Sequence, residues 1–321
     1  MARSFIIDTD TASDDAVALL MALRHPDVVV EAITVVAGNV ELEQGTRNAL
    51  YTVELSGSDV PVYRGSTAPL RRDLVVAQFF HGKDGLGDQG YPEPRGQAAE
   101  GDAVDVLIRT IRENPGIVLV TLGPLTNIAR ALQQAPDLVA LVGRCVVMGG
   151  AACTVGNVTP AAEYNVWVDP DAARLVLRSG LPIELVGWEL CRGPATLSED
   201  EMEEVRGIGT DLARFAIDCN TSALAAARLQ SREPGLPLPD PVAMAIAIDP
   251  NICTRRSRHY VDVEVESDLT RGMTVVDQLD VADDERNAAI WEAVIATDRT
   301  VEVCWEIDVP AWKDLLRAAL R

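Results

Sequence analysis

The chain has 321 residues, 48% hydrophobic and 24% charged, which suits one large α/β domain or two small ones with a sizeable core. Its 28 basic and 49 acidic residues give a formal net charge of −21, a surface that repels nucleic-acid phosphates and anionic membranes, so neither is expected as a partner. Six cysteines without a C-x-x-C pair and only three histidines argue against zinc. The cysteines fit a reducing cytoplasm, the first strand begins without a secretory leader, and no apolar run is long enough for a membrane span.

In chain order, Phe5-Ile6-Ile7 predicts a buried strand and Ala16–Met21 a helix. Between them runs Asp8-Thr9-Asp10-Thr11-Ala12-Ser13-Asp14-Asp15, four carboxylates where a strand ends and a helix begins. Open α/β sheets place their ligands there. Acids packed so closely repel one another, and a hard cation with oxygen ligands, Ca²⁺ or Mg²⁺, would relieve the repulsion. Helix capping is the simpler reading for Ser13, Asp14 and Asp15. It leaves Asp8 and Asp10 unexplained, two residues apart on one face of an apolar strand.

Strand and helix signals then alternate. Val28–Val36 is a β-branched run, Glu41–Ser56 has helical spacing, and Pro61-Val62-Tyr63 is a short strand. The Gly82–Gly101 stretch, rich in glycine and proline, reads as a mobile flap beside the site. Asp102–Asn114 is a helix, Ile117–Leu122 a strand, Leu125–Gln134 a helix and Cys145–Met148 a strand. Asp169-Pro170-Asp171 opens a helix to Ser179, and Ile183–Val186 is a strand. This rhythm predicts an α/β fold: a single open, mostly parallel sheet with helices on both faces. The C-terminal half adds helices over Ser198–Arg206, over Thr210–Leu229 and from Pro241, with a loop at Ser231–Asp240. His259–Glu266 reads as an antiparallel or edge strand, and Ala311–Leu320 as a terminal amphipathic helix.

Further polar groups recur at loop positions. Gly38-Asn39 follows the second strand, and His81-Gly82 opens the flexible stretch. Leu122-Gly123-Pro124-Leu125-Thr126-Asn127 joins a strand to a helix. Asn157 and the segment Glu163-Tyr164-Asn165 through Asp169-Pro170 mix amides with acids, as hydroxyl-rich ligands require. Asp240-Pro241 reads equally well as a turn and helix N-cap.

Together with Met148-Gly149-Gly150 and Gly272-Met273-Thr274, these motifs resemble the inosine–uridine-preferring nucleoside hydrolases over nearly the whole chain. Each motif alone is unspecific; their order and spacing carry the resemblance. It implies one nucleoside hydrolase domain over residues 1–321 with a Rossmann-like fold, acting in the cytoplasm as a homodimer or homotetramer. It implies hydrolysis of the N-ribosidic bond of ribonucleosides to ribose and nucleobase, with Ca²⁺ as cofactor. Asp10, Asp15, Asp240 and the Leu122 carbonyl would hold the cation, with Asp8 in support. Asp10 would be the general base toward water. Asp14, Asn39, Asn157, Glu163, Asn165 and Asp240 would bind substrate.

The chain departs from the family pattern in two places. Pro239 stands where many relatives carry a histidine or tryptophan, which leaves His81 as the candidate leaving-group acid. Thr11-Ala12 replaces the common Pro-Gly of the first motif. Tyr164 and Trp188 are the aromatic candidates beside the base, with core packing the simpler role for Trp188.

Two other readings compete. Ile6–Thr11 also looks like the first motif of haloacid-dehalogenase phosphohydrolases, which use Mg²⁺ and a downstream lysine. The chain's only lysines are Lys83, in a glycine-rich loop, and Lys313, in the terminal helix. A nucleoside-binding protein that retains the calcium pocket without turnover is the other.

Overall fold

Phe5, Ile6 and Ile7 alternate along β1 (Arg3–Thr9): Phe5 and Ile7 enter the apolar layer on one face of a sheet, and Ile6 the layer on the other. A strand apolar on both faces belongs at the centre of a covered sheet, and β1 lies there in this computed structural model, which describes residues 2–230, 235–292 and 299–321. It pairs in parallel with β2 (Val28–Val35) on one side and β4 (Val118–Thr121) on the other. With β3 (Val62–Arg64), β5 (Arg144–Met148), β6 (Ile183–Val186), β7 (Cys253–His259) and β10 (Val301–Ile307), they form one eight-stranded sheet ordered β3-β2-β1-β4-β5-β6-β10-β7. Only the outermost pair, β10 and β7, is antiparallel.

One face is covered by α1 (Ser13–Arg24), α2 (Leu42–Ser56) and α11 (Pro239–Ile248), together with the terminal helix α13 (Val309–Ala319). The other is covered by α4 (Ala103–Glu113), α5 (Thr126–Gln134) and α7 (Pro170–Leu177). Helix α11 is buried from Asp240 to Ile248 and packs on α1, so the helix that carries Asp240 in its first turn lies beside the one that carries Asp14 and Asp15.

The mostly parallel, doubly covered sheet matches the sequence expectation, and the edges differ from it. The expected strand at His259–Glu266 is two elements: its first residue ends β7, and β8 (Val261–Val263) pairs with β9 (Thr274–Val276) in a small separate sheet. Arginine-rich β7 carries no period-two signal because it is an edge strand with exposed charges on both faces. The helix expected over Thr210–Leu229 breaks into α9 (Asp211–Asp218) and α10 (Thr221–Gln230). At the break, Asn220 Nδ2 donates to the Ala216 carbonyl (2.9 Å), satisfying an end group of α9. Helix α11 starts at Pro239, where the missing amide hydrogen is tolerated, so Asp240 sits in the first turn and not at the cap. The expected loop at Ser231–Asp240 falls partly on residues 231–234, outside the described residues.

Candidate active site at the sheet's switch point

The strand order reverses direction between β1 and β4, and in open α/β sheets the crevice at such a reversal, outside the carboxyl ends of the strands, binds ligands. Asp8 and Thr9 end β1, and Leu122-Gly123-Pro124 follows β4. The amide of Leu122 donates to the Asp8 carbonyl (2.8 Å), which draws the two loops together.

The four N-terminal acids and Asp240 all converge here, and all are buried. Asp8 Oδ1 accepts from Asn127 Nδ2 (2.8 Å) and Thr34 Oγ1 (2.5 Å). Asp15 accepts from Thr9 Oγ1 (2.6 Å) and from the Ala12 amide (2.9 Å). Ala12 occupies the N-cap position of α1, with the Asp15 side chain reaching back to its amide. Ser13, read from sequence as the cap, is instead the first helical residue, and its hydroxyl meets His81 Nδ1 at 2.8 Å. Asp10 Oδ2 accepts from the Asn39 amide (2.6 Å).

Glycines make room for Asp10. A β-carbon at Gly38 would stand 2.1 Å from Asp10 Oδ2, and one at Gly123 would stand 2.8 Å from Oδ1. The Gly38-Asn39 and Leu122-Gly123 motifs therefore wrap the same carboxylate from two sides.

Burial and mutual repulsion hold these acids far from their ordinary behaviour. Burial lifts Asp10 and Asp240 well above the usual carboxylate range, reinforced by the neighbouring acids. It raises Asp15, brings Asp14 to about 6 and takes Asp8 to about 7. Asp15 is among the neighbours whose charge raises both Asp10 and Asp240, a repulsion that a shared proton or a cation would relieve. Oxygens of Asp14, Asp15 and Asp240 fall within 4.8 Å of one another. Asp10 Oδ1, Asp8 Oδ2 and Asp14 Oδ1 are buried with no hydrogen-bond partner. Orphaned, hard, negatively charged oxygens converging from several elements fit a divalent cation of the calcium or magnesium type. Among the oxygens in close mutual reach the geometry includes Asp14, which the resemblance had assigned to substrate.

Above the acids opens a cavity of about 340 Å³, within the range of small-molecule sites. Asp14, Asn39, Leu122, Asn157, Glu163, Tyr164, Asn165 and Asp240 line it. Glu163 accepts from the amides of Gly150 (2.8 Å) and Asn165 (3.0 Å), and burial raises its carboxyl to about 7. Asn165 Nδ2 donates to the Leu122 carbonyl (2.7 Å), which ties two of the lining residues together. Asn157 Oδ1 accepts from the Tyr164 amide (2.9 Å).

His81 ends the short helix α3 (Gln78–His81) and lines the cavity beside Phe80. Burial lowers its ring to about 4, so at neutral pH it is uncharged. The following Gly82–Gly101 stretch contributes nothing to the cavity wall. It is irregular, as expected, but lies against α2 and α9, where Tyr91 packs on Tyr51 and Phe215 with ring centroids 5.3 and 5.0 Å apart.

Trp188, an aromatic candidate for which core packing was the simpler role, lines the wall; its Nε1 donates to the Val155 carbonyl (2.7 Å) and Arg192 stacks over its ring at 4.7 Å. Other cavity residues escaped the sequence reading. Asn220 and the apolar Ala223 and Ala227 come from the α9–α10 break and α10, a region with no motif to mark it. The supports Thr34 and Asn127 were also unassigned; only Asn127 lay in a quoted motif. Neither lysine lines the cavity, and Lys313 Nζ is held by Glu201 and the carbonyls of Pro194 and Thr196. The downstream lysine of a dehalogenase-type phosphatase is thus absent from the cavity lining, where the cation present is Arg192.

An acid-floored pocket at the switch point of a mostly parallel sheet is the arrangement in which such folds bind small-molecule ligands. A sequence profile of the inosine-uridine preferring nucleoside hydrolases matches residues 5–314, and the chain belongs to that family of ribonucleoside hydrolases. The pyrimidine-specific ribonucleoside hydrolase RihA of Shewanella baltica is 38% identical over 297 residues, which cover 90% of this chain and 91% of that one. The solved structure of a plant nucleoside hydrolase superposes with a TM-score of 0.91 at 31% identity, covering 100% and 99% of the two chains. A purine-preferring ribonucleoside hydrolase from Gardnerella vaginalis superposes with a TM-score of 0.86 at 32% identity over 99% and 98%. No helix among the described residues is long and apolar enough to cross a membrane.

Proposed function

We propose that the protein is a Ca²⁺-dependent N-ribohydrolase that splits ribonucleosides into free ribose and nucleobase for salvage. The observation that carries this reading is the set of buried, partnerless carboxylate oxygens beneath a polar cavity. Asp10, Asp15, Asp240 and the Leu122 carbonyl would hold the cation, with Asp8 fixing the shell from behind and Asp14 near enough to contribute. When bound, the cation supplies positive charge that anchors ribose hydroxyls and acidifies a water.

The chain's own groups do the rest. Asp10, fixed by the Asn39 amide and hemmed by Gly38 and Gly123, accepts the proton as the water oxygen bonds to C1′. The N-ribosidic bond breaks as that bond forms, and its electron pair leaves with the base. Asp14, Asn39, Asn157, Glu163, Asn165 and Asp240 hold the ribose and stabilise its oxocarbenium-like charge. His81, uncharged at neutral pH, donates a hydrogen bond to the departing base in the role the resemblance gave to an acid. Trp188 and Tyr164 offer ring faces to the nucleobase. The relatives include pyrimidine-specific and purine-preferring enzymes, and the cavity wall mixes the apolar Ala223 and Ala227 with the polar Asn220 and Gln230. The same reading places the protein in the cytoplasm as a homodimer or homotetramer.

Substitution Asp10→Ala tests the mechanism. A loss of about 10²–10⁴-fold in kcat, the scale of a missing general base, is expected; rates like the wild type would refute Asp10 as the base.

A further inference from the structure

Ser13 stands where capping would place a helix starter, yet it caps nothing. It is fully buried, and its hydroxyl has one hydrogen-bond partner among the described residues, His81 Nδ1 at 2.8 Å. A buried hydroxyl hydrogen left unbonded is costly, whereas an imidazole nitrogen accepts one readily. The hydroxyl therefore donates, Nδ1 accepts, and the ring proton sits on Nε2. Nε2 makes no hydrogen bond among the described residues and belongs to a side chain that lines the cavity.

The backbone of Ser13 is held from the other side. Asn220 Nδ2 and Cys219 Sγ both approach the Ser13 carbonyl at 3.4 Å. Asn220 Nδ2 also donates to the Ala216 carbonyl at 2.9 Å, so a flipped amide would set an oxygen against two carbonyls. The break between α9 and α10 thus braces the first turn of α1, and that turn presents its hydroxyl to the histidine. Pro239, at the start of α11, carries no hydrogen-bonding side chain in the same cavity.

We infer that Ser13 is a positioning residue for the leaving group: it fixes His81 as the Nε2–H tautomer, the form that donates a hydrogen bond to the departing nucleobase. The inference rests on the role proposed above for His81. The chain achieves with a serine–histidine pair what Pro239 does not supply.

Nitrogen-15 NMR of imidazole-labelled, calcium-loaded protein reads the tautomer directly. Three histidines give three signal sets, and loss of one in His81→Gln assigns it. The expected wild-type signal is Nε2–H, and Ser13→Ala should give a mixture of tautomers. In kinetics, Ser13→Ala should lower kcat on nucleosides about tenfold, the worth of one hydrogen bond, and lower it less than about twofold on 4-nitrophenyl riboside, whose leaving group needs no donor. Ser13→Thr, which keeps the hydroxyl, should restore both readouts. An Nδ1–H signal in the wild type, or equal losses on both substrates in Ser13→Ala, overturns the inference. Should His81→Ala itself leave nucleoside rates intact, the proposed role of His81 fails and not merely its link to Ser13.

Discussion

Gly38 and Asp10 occupy one space: a β-carbon on Gly38 would overlap Asp10 Oδ2, at 2.1 Å, with Asp10 Cγ and Pro124 Cδ both at 2.8 Å. A turn residue after β2 thereby dictates the position of a carboxylate after β1. Gly38→Ala should displace Asp10 by a fraction of an ångström or more and lower kcat by about 10²-fold, the penalty for a misplaced catalytic group. Steady-state kinetics alongside a thermal melt would check this; unchanged kcat would mean that the carboxylate can move without consequence.

Cation binding should compete with protons. In the cation-free protein, burial holds Asp8 and Glu163 near 7 and Asp14 near 6, all above their values in an unfolded chain, near 4. A raised carboxyl contributes stability that is full below about pH 4 and disappears as pH climbs to about 7. His81 acts oppositely: held near 4 against about 6.5 unfolded, its contribution is present above 6.5 and lost as pH falls toward 4. The carboxylates outnumber it, so the Tm of the chelated protein should fall between pH 5 and pH 7.5. Calcium needs the ionised acids, so the Tm gain on adding it should be larger at pH 7.5 than at pH 5.5. At a hundredfold excess over Kd the gain corresponds to about 2.7 kcal/mol. A calcium effect that grows toward acid pH would contradict the carboxylate shell.

Asn127 ties three loops together. Its Nδ2 donates to Asp8 Oδ1 (2.8 Å) and to the Val35 carbonyl (3.2 Å), and its Oδ1 accepts from the Ser66 amide (2.9 Å). Asn127→Ala leaves Asp8 with the Thr34 hydroxyl as its remaining side-chain donor and the buried Ser66 amide without its acceptor, a loss of about 2–4 kcal/mol in stability. Calorimetry with calcium titration should also show weaker cation binding, because Asp8 loses a bond that orients it. A neutral melt would show that Asp8 is satisfied without Asn127.

His81 should matter in proportion to how poor the leaving group is. His81→Ala is expected to lower kcat on inosine or uridine about 10–100-fold and to affect 4-nitrophenyl riboside far less, since a hydrogen bond to the base helps only a base that leaves reluctantly. Equal losses on both substrates would remove His81 from that role.

The sequence displayed the centre of this molecule more clearly than its edges. Apolar β1 with acids at its end, and the strand–helix rhythm after it, are consequences of a doubly covered parallel sheet, so period and composition expose them. The acids after β1 and Gly38-Asn39 after β2 were visible as residue types placed at strand ends, whereas His81, Glu163 and Asn165, at the ends of short helices, were visible only through the order of the family's motifs. Edge strand β7 was not, because its exposed arginines obey no alternation. The α9–α10 break was hidden because helical spacing runs through Cys219 and Asn220, and only three-dimensional packing makes that turn useful. Ser13 was visible but misread: local rules assign a serine before an acidic first turn to capping, and its real partner lies 68 residues away.

The most direct test of the account is release of free ribose from inosine, adenosine, guanosine, uridine and cytidine, each assayed with and without a calcium chelator. The account predicts ribose from at least one of them, abolished by the chelator and restored by added Ca²⁺. Release that ignores the chelator would contradict the cation site, and no ribose from any nucleoside would contradict ordinary ribonucleoside hydrolysis itself.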